Sequence, residues 1–351
     1  MTTDAPGNLA PPLSLEEVGL TFKPGQGLWR ELAAGFRRLA GRPAAEGGVQ
    51  AVRGVSLALR PGEVLGLVGE SGSGKSTLGR IMAGLYQPET GRVLWAGRDL
   101  AGLDRTARRL FRRRVQIMFQ DPVSSLNPRF TAGATVEEGL IIHGLGSPAE
   151  RRARVAELLR EVGLPTESAR HFSHEFSGGQ RQRLSLARAL AVDPEVLIAD
   201  EPVSALDVSI QAQVVNLLLD LRGRRGLTLV LISHDLPLVR VVADRLAVMY
   251  GGRLMEVAAA ETLGRSRHHP YVEALWASAG GGDPLEGEPP DPGHPTPGCP
   301  FAPRCREADE GCRTETPPLA WRADDFACAC RHRPYPPENA ALKPKSPGEI
   351  N

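Results

Sequence analysis

No stretch of 18 apolar residues occurs in this 351-residue chain; the nearest approach, 228–242, is broken by His234, Asp235 and Arg240. A helix needs about 20 such residues to cross a bilayer, so no span is expected. An excess of one charge is also missing. The 42 Lys and Arg stand against 41 Asp and Glu, which leaves no global field to draw nucleic acid or anionic lipid. Residues 1–12 hold no charged segment leading into an apolar core, so no secretory signal is expected; they are polar, proline-rich and expected to be disordered. Cysteine is absent before Cys299, and all five lie between Cys299 and Cys330. A clustered set in a cytosolic chain points to metal before disulfide. The sequence contains no internal repeat.

What is present is organised around Gly69-Glu70-Ser71-Gly72-Ser73-Gly74-Lys75-Ser76-Thr77, which fits G-x-x-x-x-G-K-[ST]. The apolar run Val64–Val68 precedes it as a buried strand, and Leu78, Ile81, Met82 and Leu85 follow at helical spacing. Strand, glycine loop and helix together make a phosphate cradle. The glycines let successive backbone N–H groups point inward, and the helix N-terminus adds its positive dipole end. Lys75 then faces the β- and γ-phosphates, and the Ser76 hydroxyl is placed for Mg²⁺.

Elsewhere strands and helices alternate. Val18, Leu20 and Phe22 read as a strand, as do Val55, Leu57 and Leu59; between them residues 23–50 interrupt the pattern. Inside the interruption Leu28, Leu32, Phe36 and Leu39 form one helical stripe, with Arg30, Arg37 and Arg38 outside it. Arg105–Arg114 carries six arginines in ten positions; without aromatic interleaving it reads as a solvated basic face. Val115–Phe119 is a strand ending at Gln120. Ser147, Pro148 and Glu150 give an N-cap, a first-turn proline and a capping-box partner to a helix buried through Val155, Leu158, Leu159 and Val162. Ser177-Gly178-Gly179-Gln180 opens another helix, and its serine and glycines again suit an anion. Val196–Ala199 is apolar throughout, as a strand buried on both faces should be, and delivers Asp200 and Glu201. Thr228–Ile232 similarly ends at Ser233 and His234. The pattern indicates a parallel α/β sheet with its site at the carboxyl edge.

These pieces in this order resemble the ATP-binding cassette family, over roughly residues 15–260. Phe119-Gln120-Asp121-Pro122, Ser125-Leu126-Asn127-Pro128, His269-Pro270-Tyr271 and Gly298-Cys299-Pro300-Phe301 with Arg304-Cys305 look like its oligopeptide/dipeptide branch. The resemblance implies a P-loop NTPase-type α/β domain over 13–276: a mostly parallel sheet, an antiparallel β subdomain and a helical subdomain at about 121–185. A Gly/Pro linker at 277–298, a small Cys-rich module at 299–333 and a polar tail at 334–351 complete the expected organisation.

By the same resemblance the chain is an ATPase using ATP and Mg²⁺. Asp200, with Ser76 and Gln120, serves the metal; Glu201 is the general base, His234 the γ-phosphate switch, and Gln120 also the coupling glutamine. Ser177, Gly178, Gly179 and Gln180, with Asp207, meet nucleotide held by a second cassette. Phe22 is expected to stack on adenine, with Trp29 as its rival. The partners implied are a second ATPase subunit, two transmembrane permease subunits and an extracytoplasmic solute-binding protein. The location implied is the cytoplasmic face of the inner membrane, and nucleic acid is not an expected partner. A soluble cassette ATPase acting on nucleic acid or ribosomes is the alternative; the doubled cassettes, coiled coils or zinc inserts usual there are absent from this sequence.

Cys299, Cys305, Cys312 and Cys330 are separated by five, six and seventeen residues, unlike zinc or ferredoxin spacings, so spacing alone indicates only metal. The resemblance selects a [4Fe–4S] cluster, with Cys328 the alternative to Cys330 as fourth ligand.

Overall fold

The computed structural model describes residues 10–23, 48–204, 206–265, 267–282, 285–291, 293, 297–323 and 325–333. The stripe Leu28–Leu39, Trp29, the first nine residues and the tail from Pro334 lie outside these described residues.

In chain order, β1 (Leu13–Phe22) pairs antiparallel with β2 (Val49–Ala58), and the chain then enters β3 (Val64–Val68), the glycine loop and α1 (Lys75–Met82). β4 (Thr90–Trp95) and β5 (Arg98–Asp99) complete an antiparallel sheet in the order β2-β1-β4-β5. α2 (Arg105–Arg114), the arginine run, leads to β6 (Val115–Met118) and the short α3 (Pro122–Ser125). Three helices follow: α4 (Ala132–His143), α5 (Pro148–Glu161) and α6 (Gly178–Leu190). Then come β7 (Val196–Asp200), α7 (Val208–Arg225), β8 (Thr228–Ser233), α8 (Leu236–Val242), β9 (Arg245–Tyr250), β10 (Arg253–Ala259), α9 (Pro270–Ala279), α10 (Glu310–Thr314), β11 (Ala320–Ala323) and β12 (Phe326–Cys328). The second sheet runs β11-β12-β10-β9-β3-β8-β7-β6, parallel from β9 to β6.

This parallel sheet divides two cores, and the two-residue period of its strands decides membership. Leu65 and Leu67 of β3, Ile198 of β7 and Val230 and Ile232 of β8 face the antiparallel sheet and α1. Val64, Val68, Leu197, Ala199, Leu229 and Leu231 face the helices, where Leu158, Leu159, Leu184, Leu186 and Leu190 meet them. α5 starts as its sequence indicates: the Ser147 hydroxyl accepts from Glu150 N–H while the Glu150 carboxylate accepts from Ser147 N–H. Leu85 departs from expectation. α1 stops at Met82, Gly84 turns the chain at φ 66°, and Leu85 is 53% exposed rather than part of the stripe.

The cysteine segment shares the main sheet. β12 pairs with β10, Glu256 opposite Cys328 and Val257 opposite Ala327, and Phe301 is buried in the helix-side core. About 35 residues cannot bury a sufficient core alone, and here they borrow one. A buried polar network fixes this join. Glu256 accepts from His269 N–H at 2.5 Å and pairs with His268 Nδ1 at 2.6 Å, while Arg333 forks onto Glu307 at 2.7 Å from each nitrogen.

Candidate nucleotide site

The carboxyl ends of β3, β7 and β8 converge, and the chemistry-bearing side chains leave from them. Gly74, the residue before α1, adopts φ 102°, and a Cβ there would meet Ala51 O at 2.2 Å, so only glycine lets the loop close against β2. Lys75 is buried, and its Nζ donates to Gly69 O and Glu70 O, both at 2.8 Å. Burial lowers its proton affinity, against the pull of Glu201, Asp200 and Glu70. The ammonium therefore closes the loop on itself, in the space a phosphate oxygen would share.

Ser76 Oγ donates to Asp200 Oδ1 at 2.8 Å, which joins the start of α1 to the end of β7. Burial raises the Asp200 pKa; the Ser76 bond and Arg80 oppose it. Its other oxygen, Oδ2, is buried and accepts no hydrogen bond. An idle, buried carboxylate oxygen beside a serine hydroxyl is the all-oxygen donor set that a small divalent cation takes.

Glu201 follows with φ 45°, a left-handed backbone uncommon for a side-chain-bearing residue, held by its N–H donating to Ile232 O at 3.0 Å. Gln120 Nε2 donates to Glu201 Oε2 at 2.7 Å, and His234 Nδ1 lies 3.5 Å from Oε1. Glu201, Val203, Ser204, Gln211, Ser233, His234 and Asp235 line a cavity of about 50 Å³, room for a water or two. A larger cavity, about 330 Å³ and lined by Tyr86, Arg92, Arg108 and Phe111 among others, lies behind α1 and holds none of these groups.

Ser177 caps α6 in a capping box with Gln180, and Ser177 and Gly178 are exposed. A methyl on Gly179 would meet Ile210 at 2.7 Å, so this helix start packs on the start of α7, where Asp207 is the N-cap and accepts from Ile210 N–H at 3.0 Å. Phe22 is 6% exposed and sits edge-on to Tyr86 at 5.6 Å, so little of its ring face is open to a base. Sequence reasoning missed two residues that reach the glycine loop, Tyr271, whose Oη accepts from Glu70 N–H at 3.0 Å, and Arg304, as well as Tyr250, whose Oη accepts from Arg304. His269-Pro270-Tyr271 and Arg304 are legible only as family marks; the contacts of Tyr271 and Arg304 with Glu70 span over 200 positions, beyond any local pattern.

The cysteines are all free thiols. Burial pushes Cys299 up to about 11, and Cys330, Cys312 and Cys305 stand close enough to raise it further. Cys328 is raised by burial first and then by Glu256, with Cys330 the one cysteine acting on it. Of the four expected ligands, Cys299 and Cys312 lie in the helix-side core with Cys305 packed against it, and Cys330 packs with Cys328, Phe326 and Ala258. Among the described residues no three of those four lie within 4.8 Å of one another, while a tetrahedral zinc would draw them to about 3.8 Å. The one tighter group is Asp309, Cys312 and His332, with Cys312 Sγ 3.4 Å from His332 Nε2.

Two family models match: "ABC transporter" over residues 52–204, and "Oligopeptide/dipeptide transporter, C-terminal region" over 255–312. The "Probable peptide ABC transporter ATP-binding protein y4tS" of Sinorhizobium fredii is 49% identical over 293 residues, 81% of this chain and 83% of its own length. The oligopeptide transport ATP-binding protein AppF of Bacillus subtilis is 45% identical over 81% of this chain and 90% of its own. Among solved structures, a dimeric post-hydrolysis state of the ATP-binding cassette MJ0796 bound to ADP and Pi matches with TM-score 0.59 and 30% identity, covering 71% of this chain and 99% of that one. The glycine loop, the Asp200–Glu201 strand end and the C-terminal segment thus fall together, and the chain belongs to the ABC transporter family, as an ATP-hydrolysing cassette of the oligopeptide/dipeptide branch.

Proposed function

We propose that this chain is the ATPase subunit of an importer of di- or oligopeptides, or of a related solute such as nickel. It works at the cytoplasmic face of the inner membrane, paired with a second cassette and bound to two permease subunits that receive solute from an extracytoplasmic binding protein. The observation that carries the reading is the peptide-transporter C-terminal segment built into the same sheet as the ATPase site.

Lys75 swings from Gly69 and Glu70 onto the β- and γ-phosphates as the loop amides cradle them. Ser76 and Asp200, with Gln120, would hold Mg²⁺, for which the idle Asp200 Oδ2 is available. When bound, the metal would neutralise charge developing on the phosphates. Glu201 orients and deprotonates the attacking water; Gln120 and His234 hold its two oxygens in position. Ser177, Gly178 and Gly179 present an exposed helix N-terminus to the γ-phosphate of ATP on the opposite cassette, and Asp207 stiffens the neighbouring helix start. Two cassettes then clamp two nucleotides, and hydrolysis releases them.

Cys299, Cys305, Cys312 and Cys330, with Cys328 the alternative to Cys330, are the residues that would hold a structural [4Fe–4S] cluster; the gathering of all the chain's cysteines in one short segment joined to the main sheet supports this reading. Purification of the intact complex tests the whole reading: permeases and solute-stimulated ATPase in proteoliposomes are expected. Co-purification with nucleic acid and no permease would reject it.

A further inference from the structure

The side chain of Arg304, one residue before Cys305, leaves the cysteine segment and grips the glycine loop. Its Nη1 donates to Glu70 Oε2 at 2.7 Å and its Nη2 to Glu70 Oε1 at 3.0 Å. Nη1 also donates to Tyr250 Oη at 3.0 Å, Nε to Glu286 O at 2.8 Å and Nη2 to Leu285 O at 3.1 Å. The arginine side chain is 5% exposed. A planar fork satisfied on every side is a fixed element, unlike a solvated surface pair.

Glu70 is held at three points: its carboxylate by Arg304, its N–H by Tyr271 Oη, and its carbonyl by Lys75 Nζ. Tyr250, Tyr271 and Phe301 pack as a trio with ring centroids 4.5–5.5 Å apart, so the cysteine segment, the start of α9 and the glycine loop meet in one cluster. The Glu70 carboxylate is close enough to act on Lys75, so a negative charge stands at a loop that must receive a triphosphate.

We propose that Arg304 is a positioning residue for the nucleotide site: it neutralises Glu70 and fixes the first turn of the glycine loop, so ATP affinity depends on the C-terminal segment. Without the guanidinium, Glu70 repels the phosphates it borders. A purely mechanical brace makes a different prediction, because removing the glutamate charge as well would not repair it.

The test is equilibrium titration of the full chain with a fluorescent ATP analogue and Mg²⁺, alongside KM and kcat. Arg304→Gln should weaken binding about tenfold, the scale of one unpaired charge near the phosphates, and raise KM alike while kcat stays within about twofold. The double variant Glu70→Gln/Arg304→Gln should return to within about threefold of the parent, and the single variant's defect should shrink at high salt. Parent-like affinity in Arg304→Gln, or a double variant as weak as the single one, overturns the proposal. Should Arg304→Gln fail to fold, Arg304→Lys keeps the charge and loses the fork: an affinity within about threefold of the parent's at low salt supports the proposal, and a greater loss overturns it. The inference rests on the glycine loop as nucleotide site: undiminished binding and turnover in Lys75→Ala would unseat that reading, whereas a null Arg304→Gln removes only the neutralising arginine.

Discussion

Glu201→Gln separates chemistry from architecture at this site. The amide has the carboxylate's shape, tolerates the same φ of 45° equally well, and still presents one oxygen to the Gln120 Nε2 that stands 2.7 Å away. The contact it can lose is that between Oε1 and His234 Nδ1, and at 3.5 Å this is a weak one. Losing it costs about 0.5–1.5 kcal/mol at most, roughly a tenfold effect in rate. Loss of a general base costs about 10²–10⁴-fold, or about 2.7–5.4 kcal/mol of barrier. The magnitudes do not overlap, so the measurement decides. Phosphate release in single-turnover experiments should fall at least about a hundredfold while ATP affinity stays within about threefold, and ATP should hold the chain in a slowly dissociating dimer on gel filtration. Lys75→Ala is the contrast, losing nucleotide or turnover without trapping the dimer. Turnover at the parent rate in Glu201→Gln would refute the assignment; so would a loss of tenfold or less, which the His234 contact explains alone.

Three further outcomes are expected. Cysteine pairs between Asp121–Arg129, exposed at most positions but anchored by buried Leu126, and the cytoplasmic loops of the permeases should crosslink in the assembled complex; crosslinks confined to another face would refute the coupling role. Anaerobic purification should give a brown protein with about four irons per chain, and stoichiometric zinc without iron would reject the cluster. Finally, burial first and Arg333 second hold His269 down to about 3, whereas an unfolded histidine protonates near about 6.5, so stability should be intact above that pH and fall progressively as pH drops toward 3. His269→Asn keeps an acceptor for Tyr271 N–H but cannot titrate, and should flatten the acid limb of the Tm–pH curve; parallel curves would contradict the assignment.

What the sequence exposes is the part of the molecule written in local periodicity. Val64–Val68 and Val196–Ala199 are continuous apolar runs because both faces of their strands are buried, and Ser147 with Glu150 is a helix start whose two hydrogen bonds lie within four residues. The positions of the glycine loop, Asp200, Glu201, Gln120 and His234 are legible for the same reason, since each ends a recognisable strand or opens a helix, while the roles expected of them come from the family resemblance. Leu85 misleads because one glycine at position 84 outweighs a correct spacing. Arg304 and Glu70 are unreadable from sequence, since their pairing spans 234 positions and depends on the order in which β9, β10 and β12 join the sheet.

That strand order has a further consequence. β10 would be the last strand on its side of the sheet but for β12 and β11, and its run Leu254-Met255-Glu256-Val257 is buried throughout. A chain cut before Gly298 would leave those backbone donors and acceptors unpaired beside apolar side chains, a template for strand addition from another molecule. The cysteine segment is thus also a sealing strip, and shortening the protein to its ATPase motifs trades a folded edge for an aggregation-prone one.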